Sequence, residues 1–407
     1  MAFQTGLSGL STASRTLDVI GNNVANSSVV GFKQSQAQFA EVFAATAGNN
    51  QFGIGTKLQT VSQRFDQGVI TPTSNPLDFA VAGRGFFRMS DNGEISYSRN
   101  GQFRFDDRGY IVNADGLNLT GYGIDSGGNI VNAAPEPLRF DTADLPPQQT
   151  SEFEARFNLN SSAPVITATF DPANVDTYNF STSATVFDSL GSAQVVTMYL
   201  TKTAPNAWNI FATATAGTTT SNVNLGAGAG VGVPLTFTNG QLATTMPLTA
   251  TVTVTNGATN PLVFPFDLTG STQYEGSSSV NFLYQDGFRS GRLTGFNVSD
   301  DGIIRGNYNN GQSRNLGQVV LADFVNPQGL GPLGNNQWQE TPASGLPVVG
   351  VPTTGTIGKL QAGAVEDSNV ELTSELVAMI VAQRAYQANA QTIKTQDTVI
   401  QTLVNLR

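Results

Sequence analysis

The chain has 407 residues, 20 basic and 30 acidic, giving a net charge of −10 with only 12% of positions charged. Cysteine and histidine are both absent, which excludes disulfides, thiolate metal sites, Ser-His-Asp and Cys-His catalysis and most zinc chemistry. A thinly charged acidic surface argues against nucleic acid or anionic lipid as a partner, and no apolar run reaches the roughly 18 residues that span a membrane.

The length allows roughly two to four domains, each able to bury a core. Residues 3–25 read as a weak helix: Phe3, Leu10, Leu17 and Val24 recur every seven residues, with Leu7 and Ile20 beside them. Small residues fill the gaps, and each glycine costs about 1 kcal/mol relative to alanine, so this helix is marginal alone. The opening MAFQTGLSGLSTASR has neither a basic n-region nor a continuous apolar stretch, and is not expected to be a cleaved secretory signal.

The stretch NNVANSSVVGFK, Asn22 to Lys33, reads as an irregular exit from the helix. On spacing alone Asn22, Asn23 and Asn26 are capping residues. Up to Gly55 the pattern is mixed, with Phe39, Val42 and Phe43 placed on one short helix ahead of an AATAGNNQFGIG loop. From Thr56 the period changes to two. Short strands at Phe79–Ala82, Phe86–Met89, Tyr97–Arg99 and Gln102–Phe105 are divided by glycine and Asn-Gly turns.

At residues 145–149 the composition shifts, and 150–283 is poor in charge and rich in Thr, Ser, Ala and Val. Runs from Thr185, Gln194 and Trp208 form a meander, and TATVTVT from Thr249 alternates cleanly. Residues 284–360 regain the character of the first β segment. The last stretch, Leu372 to Arg407, reads as one long helix with Ser368 and Glu371 at capping-box spacing. Its row Leu372, Met379, Tyr386, Ile393, Ile400 is apolar throughout. The companion row Leu376, Gln383, Ala390, Asp397, Val404 is broken. So narrow a stripe needs partners.

The expected fold class is therefore mainly β with terminal helices, in a nested multi-domain plan. A coiled-coil-like pair of N- and C-terminal helices (with connectors, 1–69 and 361–407) closes a discontinuous all-β core domain (70–149 and 284–360). That core carries an inserted outer all-β domain (150–283). Acidic turns at Asp106-Asp107, Asp125 and Asp300 lack calcium-loop spacing and read as β-turns; Gly226–Gly232 lacks the Lys-Ser/Thr of a phosphate loop. No cofactor, metal or catalytic residue is expected.

NNVANSSVVGFK, LDFAVAGRGFF, YSRNGQFRFDDRGYIVNADG and the C-terminal SNVELTSELVAMIVAQRAYQANAQTIKTQDTVIQTLVNLR resemble, in order, the signatures of the flagellar axial family of rod, hook and hook-associated proteins. TVFDSLGSAQVVTMYLTKTAPNAW and YQDGFRSGRLTGFNVSDDGIIRGNYNNGQ resemble its hook branch. The resemblance implies a structural subunit, not an enzyme, that forms a helical homopolymer and is exported by the flagellar type III apparatus. Other implied partners are the distal rod protein, the hook-cap scaffold and the hook-filament junction protein, with no nucleic acid and no membrane insertion. It raises Phe3, Leu7, Leu10, Leu17, Asn22, Asn23, Val24, Asn26, Leu372, Met379, Tyr386, Ile393 and Ile400 to a self-assembly interface. It also makes Gln387, Gln391, Lys394 and Gln401 channel-facing. The rivals are a distal rod or junction protein of the same family and, remotely, a secreted β-rich glycosidase using two carboxylates.

Overall fold

The structure, a computed structural model, describes residues 2–43, 53–125, 127–140 and 143–405. The long helices stand at the two ends of the chain: α1 (Ala2–Ala25) and α2 (Leu372–Asn405). In α1 the hydroxyls of Thr12 and Thr16 donate to the carbonyls of Ser8 and Thr12, so the polar side chains are satisfied within the helix. The expected capping box on α2 does not form. The helix begins at Leu372, and Ser368 Oγ accepts from Val370 N instead. Arg407 lies outside the described residues.

The short helix expected at Phe39–Phe43 is a strand. β1 (Ser35–Phe43) pairs antiparallel with β2 (Gly53–Gln63), Ser35 opposite Gln63 and Phe43 opposite Gly53. The alternation Gln36-Ala37-Gln38-Phe39, with Ala37 and Phe39 the more covered, is a period of two and outweighs the apolar pair at 42–43. Most of the loop expected between them falls at residues 44–52, outside the described residues.

The chain forms two compact units. The first comprises Met1–Thr142, Gly295–Asn307 and Ser313–Arg407. Its chain closes on itself twice: β3 (Ile70–Pro72) pairs with Ala364–Glu366, and β4 (Phe79–Ala82) pairs with Lys359–Ala362. Asn92 (φ 48°) and Gly93 (φ 106°) make the left-handed two-residue turn that joins Phe86–Asp91 to Glu94–Ser98. The acidic turns are turn chemistry: Asp106 Oδ1 accepts from Arg108 N and Tyr110 N, and Asp125 Oδ1 from Asn129 N.

The second unit comprises Ala143–Thr294 and Tyr308–Gln312. Phe180–Phe187, Ala193–Ala204 and Ala207–Ala216 form an antiparallel meander. In Phe153–Asn160, Phe153, Ala155, Phe157 and Leu159 point inward while polar residues alternate outward. They pack with Trp208, Phe264 and Phe266, and the buried Trp208 indole donates to Gln273 Oε1 at 3.1 Å.

This unit closes at its ends. Leu145 and Gly291 exchange two backbone hydrogen bonds, Gln148 pairs with Phe288, and Asp286 Oδ1 accepts from Ser151 N and Glu152 N. A fragment spanning 143–294 is therefore expected to melt cooperatively, read by the fluorescence of its single tryptophan, Trp208. A 150–283 fragment loses Asp286 and the Tyr284–Gln285 partners of Phe153–Glu154. It should melt at clearly lower temperature; equal stability of the two would show that these closures contribute nothing.

Candidate assembly interface

The small residues of α1 set how the two helices meet. A Cβ added at Gly6 would lie 3.1 Å from Ile393 Cγ1, and one at Gly9 would lie 2.7 Å from Asn389 Oδ1. The helices run antiparallel in contact that close, and the buried row of α1 is Gly6, Ala13, Ile20. This row, and not the one expected for self-assembly, is what α1 spends inside the subunit. Leu10, Leu17 and Val24 are only half-buried at its flank, while Phe3 and Leu7 are about half exposed, at 46% and 53%. Close backbone approach needs small side chains in the middle and leaves large ones outside.

α2 divides its residues in the same way. Met379 and Ile393 are partly covered, but their companions are Glu375, Ala382, Asn389 and Gln396, one position before the expected row. Glu375 is drawn in because Gln34 Nε2 donates to its carboxylate. Leu372, Tyr386 and Ile400 of the expected seam are exposed. So are Leu376, Val377, Ile380 and Val381, which form an apolar band on the first half of the helix. Gln387, Gln391, Lys394 and Gln401 continue that same face, all exposed, along the second half.

Asn23 is spent inside the subunit. It is buried, and its amide brackets Ser35: Nδ2 donates to Ser35 O at 2.8 Å, and Ser35 N donates to Oδ1 at 2.9 Å. It fixes the turn from α1 into β1. Asn22 stays exposed, and Asn26 Nδ2 donates to Asn22 O as the helix ends.

The residues that sequence reasoning missed are those anchoring both helices to the β unit. Glu366 Oε1 accepts from Lys33 Nζ at 2.7 Å and Gly68 N at 2.8 Å, and Oε2 accepts from Arg99 at 2.9 Å. Lys33 and Glu366 side chains are fully buried, and Arg99 nearly so. Lys33 Nζ also donates to Asp66 O. Asn369 adds a second tie, accepting from Gln34 N and donating to the carbonyls of Arg64 and Asp66. Gly31 (φ +72°) lets the chain pass, since a Cβ there would lie 2.4 Å from Asn100 N. Beneath, Phe65 meets Phe86 and Trp338 edge-on at 5.5 and 5.4 Å, and Arg99 stacks over Phe86. The sequence signal was Lys33, the single charge between Asp18 and Glu41; Glu366, followed directly by Asp367, carried none.

Burial pushes the Glu366 carboxyl up, but the charges of Arg99 and Lys33 and its hydrogen bonds outweigh it, holding it below the usual range. Burial lowers Lys33 despite Glu366 beside it.

Four family descriptions match the chain in order. They are Flagella basal body rod protein (residues 3–33), Flagellar hook protein FlgE/F/G D1 domain (80–151), Flagellar basal body protein FlaE D2 domain (158–288) and Flagellar basal body rod FlgEFG protein C-terminal (361–406). The flagellar hook protein FlgE of Escherichia coli K12 is 40% identical over 412 residues, covering 100% of both chains. The chain belongs to the flagellar hook protein family. That of Borreliella burgdorferi is 30% identical over 435 residues, covering 99% of this chain and 98% of its own. The crystal structure of the Helicobacter pylori hook protein FlgE2 shares the fold, with a TM-score of 0.52 and 14% identity over 73% of this chain and 100% of its own. The subunit is thus a structural component of the flagellar hook, mainly β with a helix at each end.

The buried joint predicts unequal effects of its members. Glu366→Ala leaves two buried cations facing each other and should cost about 3–5 kcal/mol in urea unfolding of the first unit. Lys33→Met removes a charge that burial already disfavours and should cost clearly less. A Glu with a depressed folded pKa contributes stability present above its unfolded value near 4.5 and lost as pH falls through the folded value. The wild-type unit should therefore lose stability on acidification below about pH 4.5, and Glu366→Ala should flatten that slope; an unchanged slope would remove Glu366 from the account.

Proposed function

We propose that the subunit polymerises into a curved, flexible hollow tube acting as a universal joint between rod and filament, and that it works by assembly without catalysis. The observation that carries this is the change of character along the outward face of α2. Its first half presents Leu372, Leu376, Val377, Ile380 and Val381 to the outside, and its second half presents Gln387, Gln391, Lys394 and Gln401. An apolar band left open by the subunit's own packing is what neighbouring helices cover, and a polar stripe whose single charge is Lys394 suits the wall of a water-filled bore. Contacts between such subunits are heterologous and do not close into a ring. Leu372, Tyr386, Ile400, Phe3 and Leu7 then belong to the contact between subunits, whereas Met379 and Ile393 first hold α2 to α1. The proposed neighbours at the tube's ends are the distal rod, hook-cap and junction proteins, with delivery outside the cell through the flagellar export apparatus.

Ile380→Asp tests the faces. It should raise the critical concentration for polymer, measured by sedimentation, about tenfold or more while leaving monomer melting unchanged. Gln391→Ala should polymerise as wild type. Ile393→Asp should also loosen α2 from α1, seen as faster proteolysis of α2 in the monomer. Normal assembly of Ile380→Asp together with failure of Gln391→Ala would invert the assignment.

A further inference from the structure

Five asparagines stand directly before a glycine: Asn92, Asn100, Asn239, Asn256 and Asn310. At such a pair the side-chain amide is open to attack by the next backbone nitrogen, because glycine puts no side chain in the way. The fold treats the five differently. Asn92 and Asn239 are left-handed, at φ 48° and 52°, which turns the following nitrogen away from the side chain. Gly101 is buried against the carbonyl of Phe79, and Gly311 N is spent on Tyr308 O at 3.1 Å. Gly257 is exposed, with nothing within 4 Å of where a Cβ would lie. Asn256 Oδ1 accepts from Ala258 N at 3.1 Å, which folds the side chain back over Gly257 N.

The same amide holds a tie inside the second unit. Asn256 lies in the connection from Leu248–Val252 to Leu262–Asp267. Its Nδ2 donates to Asp188 Oδ2 at 2.6 Å and to Ser192 Oγ at 3.0 Å. Asp188 is fully buried in the turn between Phe180–Phe187 and Ala193–Ala204, and its Oδ1 accepts from Leu190 N and Ser192 N. Beside it Ser189 Oγ accepts from Thr259 N at 2.8 Å. A neutral amide thus joins two connections through one buried carboxylate. Exchanging its nitrogen for oxygen sets two carboxylates at hydrogen-bond distance, where like charges repel and neither can donate.

We propose that Asn256-Gly257 is a site of spontaneous deamidation whose product loosens the second unit as the molecule ages. The Gly257 nitrogen attacks Asn256 Cγ and gives up its proton to solvent base. The bond from Cγ to Nδ2 breaks, and ammonia leaves with a proton taken from water. Water then opens the five-membered imide at either carbonyl, leaving aspartate or isoaspartate. Nothing is oxidised or reduced, and the one co-reactant is water. The change stays within the second unit and does not depend on polymerisation.

The test is incubation of the full chain in mild alkali followed by peptide mass mapping. Asn256 should convert about threefold or more faster than each of the other four asparagines, and in urea the five rates should converge. No lead for Asn256 in the folded protein, or a lead that persists in urea, overturns the proposal. Asn256→Asp and Asn256→Ala both remove the donor to Asp188, but only the first adds a charge. Asn256→Asp should therefore melt about 3 °C or more below Asn256→Ala in calorimetry of the full chain. Equal melting of the two overturns the loosening. Aged wild-type protein carries the product without refolding, so its own melting decides the matter if Asn256→Asp fails to fold. Unchanged melting at full conversion refutes the proposal, and lowered melting supports it.

Discussion

The Glu366 carboxylate is the constraint on which the first unit depends. It lies six residues before α2 and binds Lys33, eight residues after α1, together with Arg99 of the β unit and the backbone of Gly68. One buried group therefore ties the exits of both helices to the same β scaffold. Two cations against one carboxylate is not a balanced arrangement, and the Nε of Arg99 is the buried side-chain nitrogen left without a partner among the described residues. Such a cluster adds little net stability compared with apolar packing, but breaking one member strands the others. Its position brings three distant segments to one carboxylate.

The helix pair follows from that anchoring and from the glycines. Gly6 and Gly9 bring α1 against Ile393 and Asn389, so the pair spends its small residues on the inner contact. Larger apolar side chains, from Phe3 and Leu7 to Leu376 and Ile380, stay outside. A helix pair packed the other way, large residues inward, would bury more area within one subunit and leave less to share. The open apolar band of α2 is surface that the subunit's own packing does not use.

Much was legible from local pattern. The change from period seven to period two, the Asn92-Gly93 turn and the alternation from Thr249 to Thr255 report which residues share a face, a property of the backbone repeat alone. Where apolar residues crowd without a clear period, as at Phe39, Val42 and Phe43, the reading failed, and β1 was settled by its pairing with β2. Heptad counting found Met379 and Ile393, and within the subunit their covered companions are Glu375, Ala382, Asn389 and Gln396. Periodicity identifies a stripe and does not weigh which side of it a small-residue helix will cover.

The amino-acid sequence by itself determined the nested β plan, the two terminal helices and the kinship with flagellar axial proteins, because repeat period, turn residues and motif order are local and survive without coordinates. Tertiary structure alone decided which face of each helix is spent inside the subunit. It alone showed Asn23 bracketing Ser35. It also joined Lys33 to Glu366, 333 residues apart along the chain. The physical reason is the same in each case: burial and ion pairing depend on which surfaces meet, and distant segments meet only once the chain has closed on itself.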